Sequence, residues 1–420
     1  MSRLIRSLVF FGVHLPPSLD WLMREFRLIV NKSVRIALTE DVRTRYGLTR
    51  TAYPQLSAEH RIYKQYIPSA FEVATVALKN YRRRLRKGFS AKPPFVKRLF
   101  FTAENQAYHL DRLTGELRVP IRAGEAVVLQ LPVSQWHRDF LADESWSLGA
   151  LTVTPEKVVV AVRKEAPPLF QPSGAISLDS NEVSLDGVAC LGESARLVNL
   201  PFSEVRVIQS THFRRKRHLR KKKERDWRVR RALLRREGTR ERHRVRQRLH
   251  RLSKGLVRIA RELRLAVILE DLKLGNPSGR SRRNNRRLSS WPRSQLHFQI
   301  GYKAALAGVP VIKVNPRYTS KTCPVCGETK GRRERVGRMF KCRCGWRMDR
   351  QLNAGLNILN TALASSETLA RAVRFQPGAL RNDVVIPLYD LPGSLGGARE
   401  EPSGVDPIPP DAASSNSGVG

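Results

Sequence analysis

The sequence is short of cysteine, of acidic residues and of long apolar runs. It has 5 cysteines among 420 residues, and four of them lie between positions 323 and 344, whereas a disulfide-stapled secreted protein spreads its cysteines along the chain. No apolar run reaches transmembrane length, and the N-terminal segment lacks the small-residue cleavage site of a signal peptide. We therefore expect a cytoplasmic protein without a membrane partner, whose clustered cysteines bind metal.

Acidic residues are outnumbered two to one by basic ones. The chain has 77 Lys and Arg against 37 Asp and Glu, which gives a formal net charge of +40. An excess of this size indicates binding to a phosphate polymer, because neutralised phosphates release their counterions. Hydrophobic residues make up 41% of the chain, so most of it is expected to fold. The sequence thus predicts a nucleic-acid-binding, nucleoid-associated protein of two or three domains.

The order of the predicted elements is typical of an α/β fold. Residues 18–80 have mostly helical periodicity, residues 98–164 contain short candidate strands, and prolines at 167, 168 and 172 mark a boundary. Beyond it the pattern predicts two strands around a turn, long basic helices, a buried strand ending in acids, a helix, a strand, the cysteine cluster and a helix from about 350 to 364. This order predicts a mixed sheet with acids at its strand ends.

Four cysteines form two close pairs with the spacing of a metal site. The pairs Cys323 with Cys326 and Cys342 with Cys344 are each followed by glycine, and 15 residues separate them. Four thiolates complete a tetrahedral zinc site, and the glycines allow tight turns around the ion. Because protein fills all four positions, the predicted Zn²⁺ is structural. Cys190, on an apolar strand, is predicted to be a core residue.

Two acids stand at the ends of apolar strands. Asp179 follows the segment GAISL, and Glu270 ends the segment that begins LAVIL. A carboxylate at the end of a buried strand is costly without a function or a partner. Cutting a phosphodiester with two Mg²⁺ ions needs acids brought together from distant parts of the chain. Taken singly, each acid is equally well explained as half of a salt bridge in a very basic protein.

Two basic segments are candidates for contact with nucleic acid. Residues 214–254 hold 21 Lys or Arg and 4 acids around an apolar stripe typical of one or two long helices joined near Gly238. A charge run is usually a solvated face, but self-repulsion here favours a bound polyanion. A loop-like, Arg-rich segment, 280–288, is predicted to bind single-stranded DNA near the active site. The candidate nucleic-acid-binding residues are Arg214, Arg215, Lys216, Arg217, Lys221, Lys222, Lys223, Arg282, Arg283 and Arg286.

Four stretches of the second half carry motifs that occur together and in order. They are residues 175–185 (AISLDSNEVSL), 267–275 (VILEDLKLG), 289–327 (SSWPRSQLHFQIGYKAALAGVPVIKVNPRYTSKTCPVCG) and 344–359 (CGWRMDRQLNAGLNIL). Together they resemble the TnpB family of RNA-guided DNA nucleases encoded by insertion sequences, which is related to type V CRISPR effectors. The resemblance covers roughly residues 175–360, and its second half is highly specific.

The resemblance implies an RNase H-like (RuvC-type) nuclease core with an inserted zinc ribbon, preceded by a helical and β-barrel-like module that holds a guide RNA and reads a short DNA motif. It also implies Mg²⁺ as catalytic cofactor. The implied partners are a guide RNA, a double-stranded DNA target and the RNA–DNA heteroduplex. With the residues' own patterns, the predicted divisions are the guide- and DNA-binding module (1–165), the core (173–315) with a basic helical insertion (214–254), the zinc ribbon (316–346) and the end of the core (347–370). A mobile tail (375–420) is predicted from its Pro, Gly, Ser and Asp content.

The third acidic motif departs from the family pattern. By the resemblance, Asp179 is the first metal-binding acid and Glu270 the second. The usual DRDxNAAxNI motif begins Asp349-Arg350-Gln351 here, so a neutral amide stands where the third acid is expected. Asp349 lies about 200° around a helix from that place, and Asp is also a preferred N-cap. We predict that Asp349, on the loop before the helix, swings toward the metals and completes the acid set.

Three functions are compatible with these residues. The first is an RNA-guided, Mg²⁺-dependent DNA endonuclease of a transposable element. The second, favoured by Gln351, is a nuclease-deficient guided DNA-binding protein that targets or represses. The third is a DNA transposase or recombinase, although a zinc ribbon between the second and third motifs fits the guided nucleases better. We expect the first.

Overall fold

The chain forms two compact units that divide between Glu165 and Ala166, just before the prolines at 167 and 168. Among the described helices, none combines the length and the apolarity that a membrane span requires. The computed structural model describes residues 3–222, 226–272, 281–331, 337–381 and 383–392.

The first unit combines helices with two antiparallel sheets. Its elements are β1 (Arg3–Phe11), α1 (Pro17–Thr39), α2 (Arg45–Glu59), α3 (Tyr66–Arg86), β2 (Phe101–Ala103), β3 (His109–Leu110), β4 (Glu116–Arg122), β5 (Glu125–Gln130), α4 (Gln135–Leu141), β6 (Ser147–Thr154) and β7 (Lys157–Glu165). The strand orders are β1-β7-β6-β2 and β3-β4-β5. Strand β1, which has no counterpart among the predicted strands, pairs with β7 along its whole length.

The second unit is built on a six-stranded mixed sheet with the order β12-β11-β8-β9-β10-β15. Its elements are β8 (Gly174–Ser180), β9 (Ser184–Leu191), β10 (Ser194–Pro201), α5 (Ser203–Lys222), α6 (Trp227–Glu262), β11 (Leu265–Glu270), α7 (Arg282–Ser290), α8 (Arg293–Ala307), β12 (Val311–Val314), β13 (Met339–Lys341), β14 (Arg347–Asp349), α9 (Arg350–Ser365), α10 (Glu367–Ala372) and β15 (Ile386–Pro387). Strands β8, β11 and β12 are parallel, and β9 is antiparallel to both β8 and β10. The mixed sheet expected from the order of elements is confirmed.

Alternation along the strands sends their apolar side chains to both faces of this sheet. Ile176 and Val267 face a core completed by α6 and α8. The opposite face, with Ile268 and Cys190, is covered by α9 and by the hairpin of β13 and β14. Burial raises the pKa of the Cys190 thiol to about 12, so Cys190 is the core residue that the sequence predicted. Both faces are buried, which explains the uninterrupted apolar runs of β8 and β11.

Three local expectations are wrong. Helix α6 continues through Gly238, whereas α5 ends at Lys222 and α6 begins at Trp227. Residues expected as a loop form α7, whose N-cap is Ser281. The tail expected to be mobile from residue 375 packs as far as residue 392, because Leu388 and Leu391 enter the sheet core and β15 pairs with β10.

Helix α9 approaches the sheet through two glycines. A Cβ atom at Gly355 would lie 2.5 Å from the Cα atom of Gly187 in β9. The Ser177 hydroxyl of β8 donates a hydrogen bond of 2.8 Å to the Gly355 carbonyl. Helix and sheet backbones are therefore in direct contact, and this contact fixes where the N-terminal end of α9 lies on the sheet.

We predict that Gly355→Ala lowers the free energy of unfolding by about 1–3 kcal/mol, since the methyl group would force α9 away from β9. Gly238→Ala is the matched control, because nothing lies within 4 Å of a Cβ there; this change should stabilise α6 by about 0.5–1 kcal/mol. Chemical denaturation of both variants measures the difference. Equal stabilities would contradict the close packing of α9.

Candidate active site and zinc centre

Asp179 and Glu270, here called the acid pair, lie side by side on the face of the sheet that α9 covers. Strands β8 and β11 are parallel neighbours with Leu178 opposite Leu269, so the next residue of each strand brings the two acids together at the carboxyl edge. Asp179 is half-buried and Glu270 is 4% exposed. Their carboxyl groups hydrogen-bond to each other. The structure thus brings two of the predicted catalytic residues into contact.

Burial and mutual repulsion oppose ionisation of the acid pair. Burial, followed by the charge of Glu270, raises the pKa of Asp179 well above its usual range. Burial also raises the pKa of Glu270, against the opposing effect of hydrogen bonds from Thr319, at 2.9 Å, and from Asp179. The positive charge that acts on Glu270 through space is that of Arg293. Two buried carboxyl groups with so little compensating charge fit the oxygen-rich, anionic donor set that Mg²⁺ prefers.

Asp186 is a third acid of this face that the sequence analysis did not single out. It lies opposite Asp179 in the pairing of β8 with β9, it is 6% exposed, and its charge contributes to the raised pKa of Asp179. Asn181 donates to it at 2.8 Å, and Ser184 and Asn199 donate to it as well. The sequence does contain a signal for Asp186, because this acid lies within the apolar strand segment that includes SLDG. A buried carboxylate needs hydrogen-bond or charge partners.

Asp349 is the N-cap of α9. Its Oδ1 atom accepts a hydrogen bond of 2.8 Å from the backbone N–H of Gln351, and its Oδ2 atom lies 3.5 Å from Nε of Arg338. These contacts are those of a helix cap. The expected role of Asp349 as a metal ligand stays a prediction.

Gln351 lies on the side of α9 that faces the sheet. Gly355, one turn further along the helix, meets the backbone of Asp186 and Gly187, and residues four apart share a helix face. The position that the resemblance assigns to the third acid is therefore on the side of α9 that faces β9. In this chain an uncharged amide takes that place.

Helix α8 borders the site through two residues that the sequence analysis also missed. The His297 ring lies 2.7 Å from the hydroxyl of Ser180, the residue after Asp179. Burial, together with the positive charge of Arg293, lowers the pKa of His297 to about 4, so the imidazole is neutral at neutral pH. Arg293 is 4% exposed and donates to the Leu272 carbonyl.

The four clustered cysteines converge as predicted. Their Sγ atoms all lie within 4.8 Å of one another, with 3.6 Å between Cys323 and Cys344 and 3.5 Å between Cys326 and Cys342. Sulfur atoms around a tetrahedral Zn²⁺ are about 3.8 Å apart, given Zn–S bonds of ~2.3 Å. The cluster fits zinc and is consistent with a zinc ribbon.

Two glycines and a tryptophan shape this centre. Gly327 and Gly345, which follow the two cysteine pairs, have φ angles of 76° and 83°, a conformation that favours glycine. The fully buried Trp346 donates from Nε1 to Oδ1 of Asn353 in α9 at 3.0 Å. The centre is thereby tied to the helix that covers the acid pair.

The two predicted basic segments lie on neighbouring helices. Arg286 of α7 stacks on the ring of Phe213 in α5, with 3.8 Å between the guanidinium carbon and the ring centroid. Arg287 of α7 pairs with Glu182 at 2.6 Å, in the turn between β8 and β9. The structure therefore joins both segments into one basic surface that adjoins the hairpin carrying Asp179.

The candidate nucleic-acid-binding residues differ in how free they are to bind. Lys216 is half-buried and pairs with Glu241. Lys223 lies outside the described residues, as do the side chains of Lys222 and Arg283. The exposed candidates are Arg214, Arg215, Arg217, Lys221, Arg282 and Arg286.

Comparison with known proteins gives matches in sequence and in fold. Residues 294–358 match the family model described as Cas12f1-like, TNB domain. The chain is 25% identical over 244 residues to the TnpB-like protein MJ0751 of Methanocaldococcus jannaschii, covering 55% of this chain and 85% of that protein. It is 38% identical over 112 residues to the CRISPR-associated endodeoxyribonuclease Cas12f1 of Sulfoacidibacillus thermotolerans, covering 26% of this chain and 25% of the relative. The protein in a cryo-EM structure of a Cas12f1-sgRNA-target DNA complex superposes with a TM-score of 0.55 at 13% identity, over 81% of each chain.

The fold and the cysteine cluster define a mixed α/β protein of the architecture found in that Cas12f1 structure, with a four-cysteine centre that fits zinc. The chain is similar in sequence to TnpB-like proteins and to Cas12f endodeoxyribonucleases, which are type V CRISPR effectors. The resemblance stated from the motifs is confirmed.

We predict that Asp179→Asn makes the zinc-loaded protein more stable than the wild type at pH 8 in buffer without Mg²⁺ or other added divalent cations. Both pKa values are raised above their unfolded values, so the folded chain holds more protons and its stability falls as pH rises above about 4. The loss is at most about 1.4 kcal/mol per pH unit for each proton, and Asn removes the contribution of Asp179. Melting temperatures between pH 5 and 8 measure this; a wild-type stability as insensitive to pH as that of the variant would contradict it.

We predict one tightly bound zinc ion per chain. Cys323→Ser should lose the metal and unfold more readily, because structural zinc supplies folding free energy. Cys190→Ala is the control, since that thiol lies in the sheet core and should leave the zinc content unchanged. Metal analysis of the purified proteins measures the ratio; a zinc content that survives Cys323→Ser would contradict the assignment.

Proposed function

We propose that the protein is an RNA-guided, Mg²⁺-dependent DNA endonuclease of the TnpB type, encoded by a transposable element. The observation that carries the proposal is the acid pair, in which Asp179 is half-buried and Glu270 is buried. The pair is deficient in positive charge and lies at the carboxyl edge of adjacent parallel strands. We assign the sheet to an RNase H-like (RuvC-type) core made of residues 173–315 and 347–370, with residues 316–346 as its zinc ribbon.

Asp179 and Glu270 are the proposed ligands of Mg²⁺. Bound Mg²⁺ would supply an activated water and stabilise the attacking and leaving oxygens of the phosphodiester. The protein's own contribution is to hold the ligands still. Thr319 orients the Glu270 carboxylate, and Asp186, fixed by three donors, maintains negative charge beside Asp179.

A guide RNA and a DNA target are the proposed partners. The Cas12f1 structure holds an sgRNA and a target DNA, and the basic surface of α5 and α7 supplies exposed Arg and Lys for phosphate contacts here. In such a system base pairing reads the sequence while the protein recognises the backbone of the heteroduplex. Residues 1–165 are the proposed guide- and DNA-binding module.

Gln351 favours a second candidate, a guided DNA-binding protein that targets or represses without cutting. Affinity for a divalent cation depends on the number of charged ligands. A site with Gln351 in place of an acid, and with Asp349 occupied as a helix cap, is a weaker metal site than one with three carboxylates.

The test is to purify the protein with the RNA it binds in cells, to sequence that RNA, and to incubate the complex with matched plasmid DNA and Mg²⁺. We expect cleavage by the wild type and a loss of about 100-fold or more in Glu270→Gln, because charge stabilisation by a bound metal is worth several kcal/mol. Guided binding without cleavage would support the targeting protein instead. A preparation without RNA would contradict both and favour the transposase.

Two further variants separate the roles at the start of α9. Gln351→Asp should raise the cleavage rate about tenfold at limiting Mg²⁺, because it adds a carboxylate on the face directed toward β9. Asp349→Asn keeps a good N-cap and removes a carboxylate, so cleavage within about threefold of wild type is the result expected of a residue that only caps α9. A loss in Asp349→Asn as large as that in Glu270→Gln would make Asp349 the third metal ligand.

A further inference from the structure

Tyr318 has an unusual backbone conformation next to the acid pair. Its φ angle is 61°, in the left-handed region that bulky residues avoid. Two other non-glycine residues of the described chain share this feature, Asp41 and Arg264, and both directly follow the C-caps of α1 and α6, where the left-handed conformation is ordinary. Tyr318 lies in the turn after β12 and has no such explanation.

The surrounding loop imposes this conformation. The Tyr318 carbonyl accepts hydrogen bonds from the backbone N–H groups of Lys321, at 2.8 Å, and Thr322, at 3.0 Å. Asn357 of α9 donates to the carbonyls of Thr319 and Thr322 at 2.8 and 2.7 Å. The turn therefore has a single arrangement, in which the Thr319 side chain is directed inward to Glu270 and is buried.

The Tyr318 side chain is directed the other way. It is 45% exposed, and among the described residues its ring has no aromatic or cationic neighbour and its hydroxyl no hydrogen-bond partner. Packing thus gives no reason for tyrosine at a position that glycine would occupy without strain. Arg317, the preceding residue, is also exposed and gives this turn a positive charge.

We propose that the Tyr318 ring stacks on a base of the DNA strand whose phosphate binds at the acid pair, and we call Tyr318 the stacking platform. An exposed aromatic ring with an adjacent Arg is the combination that proteins use to bind single strands, because every base has a face to stack on and a phosphate to contact. The strained turn holds the ring one residue from the side chain that orients Glu270, so the stacked base belongs to a nucleotide near the phosphate to be cut. This inference rests on the proposed function and names a positioning residue for its substrate.

The test compares Tyr318→Gly with Tyr318→Phe in the purified protein–RNA complex. Binding is measured with single-stranded DNA oligonucleotides in Ca²⁺, and cleavage of the same DNA in Mg²⁺. Gly removes the ring and relieves the strain, so its melting temperature should equal or exceed that of the wild type. We expect Tyr318→Gly to weaken DNA binding and raise KM about tenfold, with kcat within about threefold, and Tyr318→Phe to resemble the wild type.

An abasic nucleotide scanned through the oligonucleotide identifies the stacked base. At one position it should weaken binding to the wild type about tenfold and have no effect on Tyr318→Gly. An equal effect on both proteins, or wild-type binding by Tyr318→Gly, would overturn the proposal. A lower melting temperature with a loss of kcat in Tyr318→Gly would show a structural role instead and would also overturn it.

Failure of the proposed nuclease is distinguishable from failure of this inference. If the wild-type complex does not cut DNA in Mg²⁺ but its DNA binding in Ca²⁺ depends on the Tyr318 ring, the proposed nuclease activity is contradicted and the stacking role of Tyr318 is supported. If the Tyr318→Gly complex binds and cuts DNA as the wild type does, the nuclease activity is supported and the stacking role of Tyr318 is contradicted.

Discussion

Two carboxyl groups that repel each other lie at the carboxyl ends of β8 and β11, and much of the second unit serves to keep them there. Their proximity follows from the parallel register of two buried strands, which α6 and α8 cover on one face and α9 on the other. Burial raises both pKa values, so the arrangement costs stability without a cation. The close contact of Gly355 with Gly187, and the hydrogen bond from Thr319, resist the separation that repulsion favours.

The sequence was informative where a short pattern has one physical solution. Two cysteine pairs followed by glycine admit a tetrahedral metal site and little else, and an acid that ends an apolar strand needs a neighbour. The resemblance added the pairing of Asp179 with Glu270 in one site. Contacts that depend on strand register could not be predicted. Asp186 lies opposite Asp179 because of the β8–β9 pairing, which local sequence does not specify.

The remaining errors also have physical causes. A junction between two helices was one of the alternatives expected near Gly238, but the stripe that includes Leu249 and Leu256 is buried along α6, and burial outweighs the small cost of one helical glycine. The segment 282–290 was expected as a loop from its polar composition, yet Arg286 stacks on Phe213 and Arg287 pairs with Glu182. Tertiary contacts of this kind are absent from any local pattern.

The turn between β12 and the zinc centre leaves no room for changes in chain length. Thr319 contacts Glu270, Cys323 is a cysteine of the zinc centre, and three residues separate them, one of which, Thr322, receives hydrogen bonds from both Asn353 and Asn357. Surface loops usually absorb insertions and deletions at little cost. Here a single added or deleted residue would displace Thr319 from Glu270 or Cys323 from the zinc centre. Descendants of this gene can therefore vary the side chains of this segment, but they must keep its number of residues.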